Sequence, residues 1–410
     1  MNRHMILWMF FVILILIGVL TETPAVTFMT LAVALTLVAG QLWARSAVTH
    51  LAYRHEAPAN RCLTGESLDL NVEMDNPTFL PLPWVELTDF VPQKGFYLGS
   101  RDPSAKDNLV IRTGMAWFQR IKRTYKVTLT ARGFYPIGPS TLRVWDPLGL
   151  TFAEKRIRDS LYFLVYPITV SLKDLKITSD HPFGDPERQR WLFQDPFSVA
   201  GARAYEPGDP LRFIHWPATA ATGEMMTRQM EGMRSPDVLI FLNLRTMITA
   251  WHGTVPALLE LSITAAASIA RYGTNRGYRV GLYANGNMQK ARTNESAPLL
   301  QVPPSSHPRQ LRRILSALAR TAPHGSAPLE KTLRKHTGGD LYSSTLVVIS
   351  AVVTDGLRSQ LGLMVRQGYS VTLVYTGDDT APEIPGIVCH ELGGSGRWAQ
   401  IADSWGHSTE

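Results

Sequence analysis

The sequence predicts a three-part chain: an N-terminal transmembrane α-hairpin, an immunoglobulin-like β-sandwich, and a doubly wound α/β domain. Three observations predict it. Two apolar runs occupy the first fifty residues, short alternating runs broken by Gly and Pro follow to about residue 167, and strand-like and helix-like segments alternate after residue 236. A length of 410 residues suits more than one core, since single cores rarely exceed about 250 residues. The expected boundaries are 1–50 for the membrane helices, 61–167 for the sandwich, 168–235 for a core segment and linker, and 236–410 for the α/β domain.

Met5 to Leu20 is apolar apart from Gly18, and Ala25 to Ala44 is broken mainly by Thr27, Thr30, Thr36, Gly40 and Gln41. Both approach the roughly 20 residues that cross a bilayer. The connecting TETP carries Glu22 and no cation, whereas Arg3 precedes the first run and Arg45 and Arg54 follow the second. Retention of positive charge on the inner side then places both ends, and the large C-terminal part, in the cytoplasm. A cleaved signal peptide is the weaker reading, because no small-residue cleavage site separates the runs. Arg45, Arg54 and Arg61 fall short of a polybasic lipid-binding cluster and support orientation only.

In the sandwich region, ESLDLNVEM alternates through Leu68, Leu70, Val72 and Met74 and stops at DNPTFLPLP. TYKVTLTARGFYPIGPSTLRVWDP supplies two further strands around the Gly133 to Pro139 turn. Beyond Pro236, DVLIFLNL has the continuous apolar character of a strand buried in a parallel sheet. It is followed by the Ala-rich helix PALLELSITAAASIARYG, the strand YRVGLYANG, the helix HPRQLRRILSALAR, the strand STLVVISAVV, the helix DGLRSQLGLMVRQG and the strand YSVTLVYTG. Ligands of such sheets bind beyond the carboxyl ends of the strands, which singles out Asn243, Arg245, Ala284 and Ser350.

The net charge of +7 raises nucleic acid as a partner, but no RNP-type aromatic motif or zinc-finger spacing supports it, and a membrane protein is also basic on its inner side. Cys62 and Cys389 lie far apart without CxxC partners, so neither a zinc site nor a disulfide framework is indicated, and two reduced, buried thiols are expected.

The densest stretch is Arg203 to Glu231. Gly208-Asp209 after Pro207 reads as a tight turn, with Arg212, Ile214 and Trp216 on one face of an extended strand and Phe213 and His215 on the other. Arg203 or Arg212 pairing with Asp209 or Glu206 makes an ion-pair clamp, and Trp216 is expected to pack into the core. An enzymatic reading makes His215 a general base oriented by Asp209, with Ser198 or Cys62 as nucleophile; it defines the alternative of a membrane-bound hydrolase. No nucleophile elbow, H-E-x-x-H helix or Walker A loop accompanies it. A third use is an anion-binding loop at EPGD beside Arg203 and Arg212. Met225, Met226, Met230 and Met233 form either a soft contact surface or core filling.

The unbroken Y-x-P-G-D-x-x-R-x-I-x-W-x-x-T-A pattern from Tyr205 to Ala220, with RGFYPIGP and WDPLGL upstream, resembles the DUF58 family along essentially the whole chain. The resemblance implies a C-terminal half similar to a von Willebrand factor A domain, a multi-pass protein of the bacterial inner membrane, and association with a MoxR-type AAA+ ATPase, in some relatives with a transglutaminase-like membrane protein. It implies no reaction, so a non-enzymatic interaction or scaffold role in assembly or maturation of other proteins is expected. This chain departs from the pattern at Pro217 and Ala221, where two positive charges are customary. It departs again at the metal motif such domains carry as Asp-x-Ser-x-Ser: here Asn243, Arg245 and Met247 occupy the ligand positions, Ala351 follows Ser350, and the nearest acid is Asp355. A hard cation needs carboxylate oxygens and is repelled by a guanidinium, so neither metal nor cofactor is expected, and Arg245 is better suited to an acidic side chain from a partner.

Overall fold

The computed structural model describes residues 9, 12–13, 16, 18, 24–91, 96–98, 108–159, 161–177, 194–206, 209, 211–232, 237–248, 253–289, 298–325, 327–337 and 344–406. Of the first apolar run, Met9, Val12, Ile13, Leu16 and Gly18 are helical, and the remainder lies outside the described residues. The second run forms helix α1, Pro24–His50. It is 27 residues long, and its most apolar 18-residue stretch has a mean hydropathy of 1.9, enough by length and composition to cross a membrane. The threonines do not spoil the apolar surface: Thr30 and Thr36 donate their hydroxyls to Val26 O and Ala32 O one turn back.

The chain divides into two compact units at Val165/Tyr166. In the first, β1 (Ala52–Glu56) follows α1 directly, and β2 (Arg61–Leu63), β3 (Ser67–Asp75), β4 (Leu82–Phe90), β5 (Phe96–Leu98), β6 (Asn108–Met115), β7 (Arg120–Leu129), β8 (Gly133–Ile137), β9 (Ser140–Trp145), β10 (Phe152–Ile157) and β11 (Leu161–Tyr166) complete it. The strands form two four-stranded sheets, β1-β3-β7-β5 and β10-β9-β4-β6, and a three-stranded sheet, β2-β11-β8. Period-two patterning drives this arrangement. Leu70, Val72 and Met74 of β3 enter one core with Val85 and Leu87 of β4 and Leu142 and Val144 of β9, while Asp69, Asn71 and Glu73 face away. Cys62 lies in that core, where burial, reinforced by nearby Glu66, pushes its thiol up to about 12.

The second unit begins with the tail of β11 and a turn through Leu175 and Ile177, followed by the hairpin β12 (Gln194–Ala204) and β13 (Met226–Gly232). A larger sheet then runs through β14 (Asp237–Leu242), β15 (Arg279–Met288), β16 (Leu299–Ser305), β17 (Thr321–Gly325), β18 (Thr345–Ser350), β19 (Ser370–Tyr375) and β20 (Val388–Glu391). Its order is β16-β15-β14-β18-β19-β20, with β17 also pairing β15. Every neighbour from β15 to β20 is parallel, and β16 is an antiparallel edge.

Helices cover both faces because the strands are apolar on both. Val238, Ile240 and Leu242 enter a core that includes α3 (Pro256–Asn275), Ile314 and Leu318 of α4 (Gln310–Ala319) and Ile401 of α7 (Gly394–Gly406). Leu239 and Phe241 enter a second core with Leu333 of α5 (Leu329–His336) and Leu357 and Leu361 of α6 (Asp355–Arg366). The remaining helix, α2, is the short Trp216–Thr222. Small side chains explain how α3 sits so deep: Ala265, Ala266, Ala267 and Ala270 are fully buried. Cys389, expected to be buried, is exposed, because β20 is the edge strand of the sheet.

Candidate functional site

Two polar clusters of the second unit contain the residues singled out by sequence. The first is built on the β12–β13 hairpin, whose register sets Arg203 opposite Thr227 and Ala204 opposite Met226. The chain then folds back, with Tyr205 N donating to Met225 O at 2.8 Å and Asp209 N to Glu206 O at 3.0 Å. Asp209 is the centre of this turn. Its Oδ1 accepts from Arg203 Nη2 at 2.7 Å, and its Oδ2 accepts from Glu206 N at 3.1 Å and Thr227 Oγ1 at 3.3 Å. The Arg203 hydrogen bond, followed by that from Glu206 N, holds the Asp209 carboxyl below the usual carboxylate range, and the same pairing raises Arg203. The expected clamp is therefore between Arg203 and Asp209. Pro207 and Gly208 lie outside the described residues, as does the side chain of Arg212.

Beyond the turn, the expected extended strand does not form. Leu211–Phe213 is a 3-10 turn, Ile214 is a single buried bridge to Thr227, and Trp216–Thr222 is α2. The alternation of Arg212, Ile214 and Trp216 on one face is thus overturned. Two local effects favour the helix: Pro217 sits in its first turn, where a proline N–H is not missed, and His215 caps it, Nδ1 accepting from Ala218 N at 3.1 Å. Gly223, at φ 74°, ends the helix in the left-handed conformation that glycine adopts without strain.

Trp216, expected in the core, is instead 66% exposed, because α2 buries none of its residues. Leu211 is exposed to the same degree and Met225 is also exposed. Met226 is half-buried, whereas the side chain of Met230 and all of Met233 lie outside the described residues.

The hydrolytic pairing is not assembled. Asp209 is committed to Arg203, Glu206 N and Thr227, while the Nδ1 of His215 is committed to the cap, and no hydrogen bond among the described residues joins the two. The side chain of Ser198 lies outside the described residues.

The second cluster lies where the sheet order reverses, at the carboxyl ends of adjacent β14 and β18. Asn243 Nδ2 donates to Ser350 Oγ at 2.9 Å, and Asn243 Oδ1 accepts from Asn285 Nδ2 at 2.8 Å and Arg245 N at 3.1 Å. Asn285, in the C-terminal half of β15, returns a bond by accepting from Leu244 N at 2.8 Å, and its Nδ2 also donates to Ala327 O. Ser350 Oγ donates to Val352 O at 2.6 Å, and Ser350 O accepts from Thr376 N. All three side chains are buried, and each principal donor and acceptor is used within the protein. Asn285 was not singled out by sequence; its place beside Ala284 at a strand end is the signal that marks it.

This network does not fit a hard cation. No group of three His, Cys, Asp or Glu that could hold a metal occurs among the described residues. The one side-chain oxygen of Asn243 already takes two hydrogen bonds. Asp355 is not drawn in: it opens the first turn of α6, which Thr354 caps by accepting from Leu357 N. Arg245 packs against Gly325, and its Nε is buried without a hydrogen-bond partner among the described residues. Met247 stands partly exposed beyond it.

Several known proteins are similar to parts of this chain. An uncharacterised protein, YeaD of Bacillus subtilis (strain 168), is 26% identical over 183 residues, 44% of the length of each protein, so the match takes in less than half of this relative. Solved structures similar over 28% of this chain include the CARDB domain of a Pyrococcus furiosus protein in complex with di-metal ions, at 12% identity, 91% coverage of that domain and a TM-score of 0.19. They also include a cohesin module from a Clostridium perfringens family 33 glycoside hydrolase, at 9% identity, 96% coverage and a TM-score of 0.22. Residues 201–394, from within β12 to the first residue of α7 and so containing both clusters, match the model of the family described as "Protein of unknown function DUF58".

Proposed function

We propose that this protein is a membrane-anchored, non-enzymatic interaction protein whose DUF58 domain docks a MoxR-type AAA+ ATPase during assembly or maturation of other proteins. A transglutaminase-like membrane protein is a further partner in this reading. The observation that carries it is α2: within the most distinctive motif of the chain, a helix with no buried residue presents Trp216, with Leu211 and Met225 exposed nearby in sequence. Exposed apolar patches mark interaction sites, and tryptophan is enriched at interface hot spots.

The Arg203–Asp209 turn supports the reading as the device that fixes the base of this display, and His215 as the cap that holds α2. At the β14–β18 edge, the order β16-β15-β14-β18-β19-β20 with an antiparallel edge supports likeness to a von Willebrand factor A domain, one in which a neutral network replaces the metal ligands. Arg245, half-buried there, carries a guanidinium suited to an acidic side chain of a partner.

Pro24–His50 supports anchoring, and the cations Arg45, in its last turns, and Arg54, after it, support a cytoplasmic position for the bulk of the chain in an inner-membrane protein of two spans. The test is crosslinking and mass spectrometry on native membranes, comparing wild type with Trp216→Ala. Recovery of a MoxR-type ATPase with wild type and its loss with the variant support the reading; failure to recover any AAA+ ATPase with wild type contradicts it.

A further inference from the structure

We propose that one end of the β-sandwich is a membrane-inserting surface, a collar of aromatic and aliphatic turns that sits in the bilayer interface beside α1. The inference rests on the anchoring role of α1 and extends it to a second, independent contact with lipid.

Three turns meet at one end of the sheet β10-β9-β4-β6: residues 76–81 before β4, 116–119 after β6, and 146–151 between β9 and β10. They are tied together. Asn76 Nδ2 donates to Leu80 O and to Ala116 O, Phe118 N donates to Thr78 O, and Trp84 pairs with Trp145 in the β4–β9 register. Around this end, Phe79, Trp84, Trp117, Phe118, Leu148 and Leu150 are between 61% and 72% exposed. No ionisable side chain occurs in residues 76–82, 115–119 or 147–151. The neighbouring Asp146 is buried and spends its carboxylate on Leu148 N, Thr151 N and the Thr151 hydroxyl.

Large apolar side chains are not displayed this way in water without reason. Phe118 adds a second sign, holding φ at 51°, where a bulky side chain is strained and glycine would not be. A groove of about 640 Å³ lined by Trp84, Trp145, Gly149 and Arg112 opens on the same sheet.

The helix fixes the level of this end relative to a bilayer. Gly40 of α1 lies against Asp146: a Cβ there would stand 3.1 Å from its Oδ2. Nearly three turns further on, Thr49 O and Leu51 O accept from Lys155 Nζ of β10. The helix therefore runs along the β9–β10 edge toward the other end of the sheet, and its residues 24–39 project past the collar. Gly40 is about 24 Å along the helix from Pro24, whereas a hydrocarbon core is about 30 Å thick. A core that begins at Pro24 ends near Ala44, just before Arg45 and beyond the level of Asp146. The collar then falls at the boundary between acyl chains and headgroups, the depth at which tryptophan and other amphipathic aromatics concentrate. Lipid is the occupant this position selects.

The test uses the full chain in vesicles of phosphatidylethanolamine and phosphatidylglycerol containing doxyl-labelled phosphatidylcholine. Single cysteines at Leu148, Trp117, Leu35 and Arg158, in a Cys62→Ala, Cys389→Ser background, carry an environment-sensitive fluorophore; Leu35 lies in α1, and Arg158 at the opposite end of the same sheet. The expected result is a several-fold greater fluorescence loss to doxyl lipid at positions 35, 148 and 117 than at 158, with iodide quenching reversed. If position 35 is quenched by lipid but 148 and 117 only by iodide, anchoring stands and the collar is overturned. Protection of 148 and 117 from both quenchers overturns it as well, since protein then covers the surface. If position 35 itself escapes the lipid quencher, the anchor fails and the inference falls with it.

Discussion

The two polar clusters of the second unit solve opposite problems. The Arg203–Asp209 turn is charged and reachable by water, so its ion pair is screened and its value is geometric: it sets where the chain reverses before α2. The Asn243–Asn285–Ser350 network is neutral and buried between parallel strand ends, where an unpaired donor is expensive and a charge more so. The comparison teaches that hydrogen bonds within the protein consume the polar groups at the carboxyl ends of these parallel strands, whereas the surface motif leaves Trp216 exposed to water.

The largest effect is expected at the buried cluster. Asn285→Ala removes the acceptor of Leu244 N and the donors to Asn243 Oδ1 and Ala327 O, and should lower stability by about 3 kcal/mol in denaturant unfolding of the detergent-solubilised protein. A loss no greater than that of a surface alanine would erase the contrast between the clusters.

Asn243→Asp sharpens it. A carboxylate there loses the donor to Ser350 and brings a charge into a dry site, for an expected cost of about 2 kcal/mol. Millimolar Mg²⁺ should leave the unfolding midpoint of this variant where it was; a clear upward shift would show that the edge retains a cation site.

At the surface motif the expected changes are smaller. His215→Ala removes the acceptor of Ala218 N and should cost about 1 kcal/mol of local helix stability, seen as faster amide exchange in α2, whereas His215→Asn should retain most of the protection. The smallest effect is pH-dependent. Because Asp209 has a folded pKa below its unfolded value, its contribution is fully present above about pH 4 and is lost only as pH falls through the lower folded value. Amide exchange at Glu206 N, normalised for intrinsic rate, should thus be equally protected at pH 7 and 5 and lose protection under strong acid; Asp209→Asn should weaken that protection at every pH.

Much of the fold is legible in the sequence where one physical signal dominates. The apolar run 25–44 is α1, Leu70, Val72 and Met74 alternate into the core, and DVLIFL is a strand buried on both faces. Elements outside that reading have weaker signals. β16 carries Pro303 and Pro304 and survives as an edge strand, where a missing donor is tolerated. α7 opens in glycine, and its spacing of Trp398, Ile401 and Trp405 is a helical stripe hidden behind that start.

In the candidate site, an ion pair of Arg203 or Arg212 with Asp209 or Glu206 follows from charge and turn chemistry, and the structure selects Arg203 with Asp209; the path after the turn does not follow. RFIHWP alternates like a strand, yet the His215 cap and Pro217 act locally and win. Trp216 is misplaced by the same error: hydrophobicity predicts burial only when an element has a core to face, and α2 has none.

The most direct test of the central claim is affinity capture of the solubilised protein, wild type against Trp216→Ala, with thermal unfolding measured on the same samples. The account predicts an unchanged melting temperature and loss of a MoxR-type AAA+ ATPase from the captured material. A variant that keeps the ATPase, or one that melts early because Trp216 supports the fold, would contradict it.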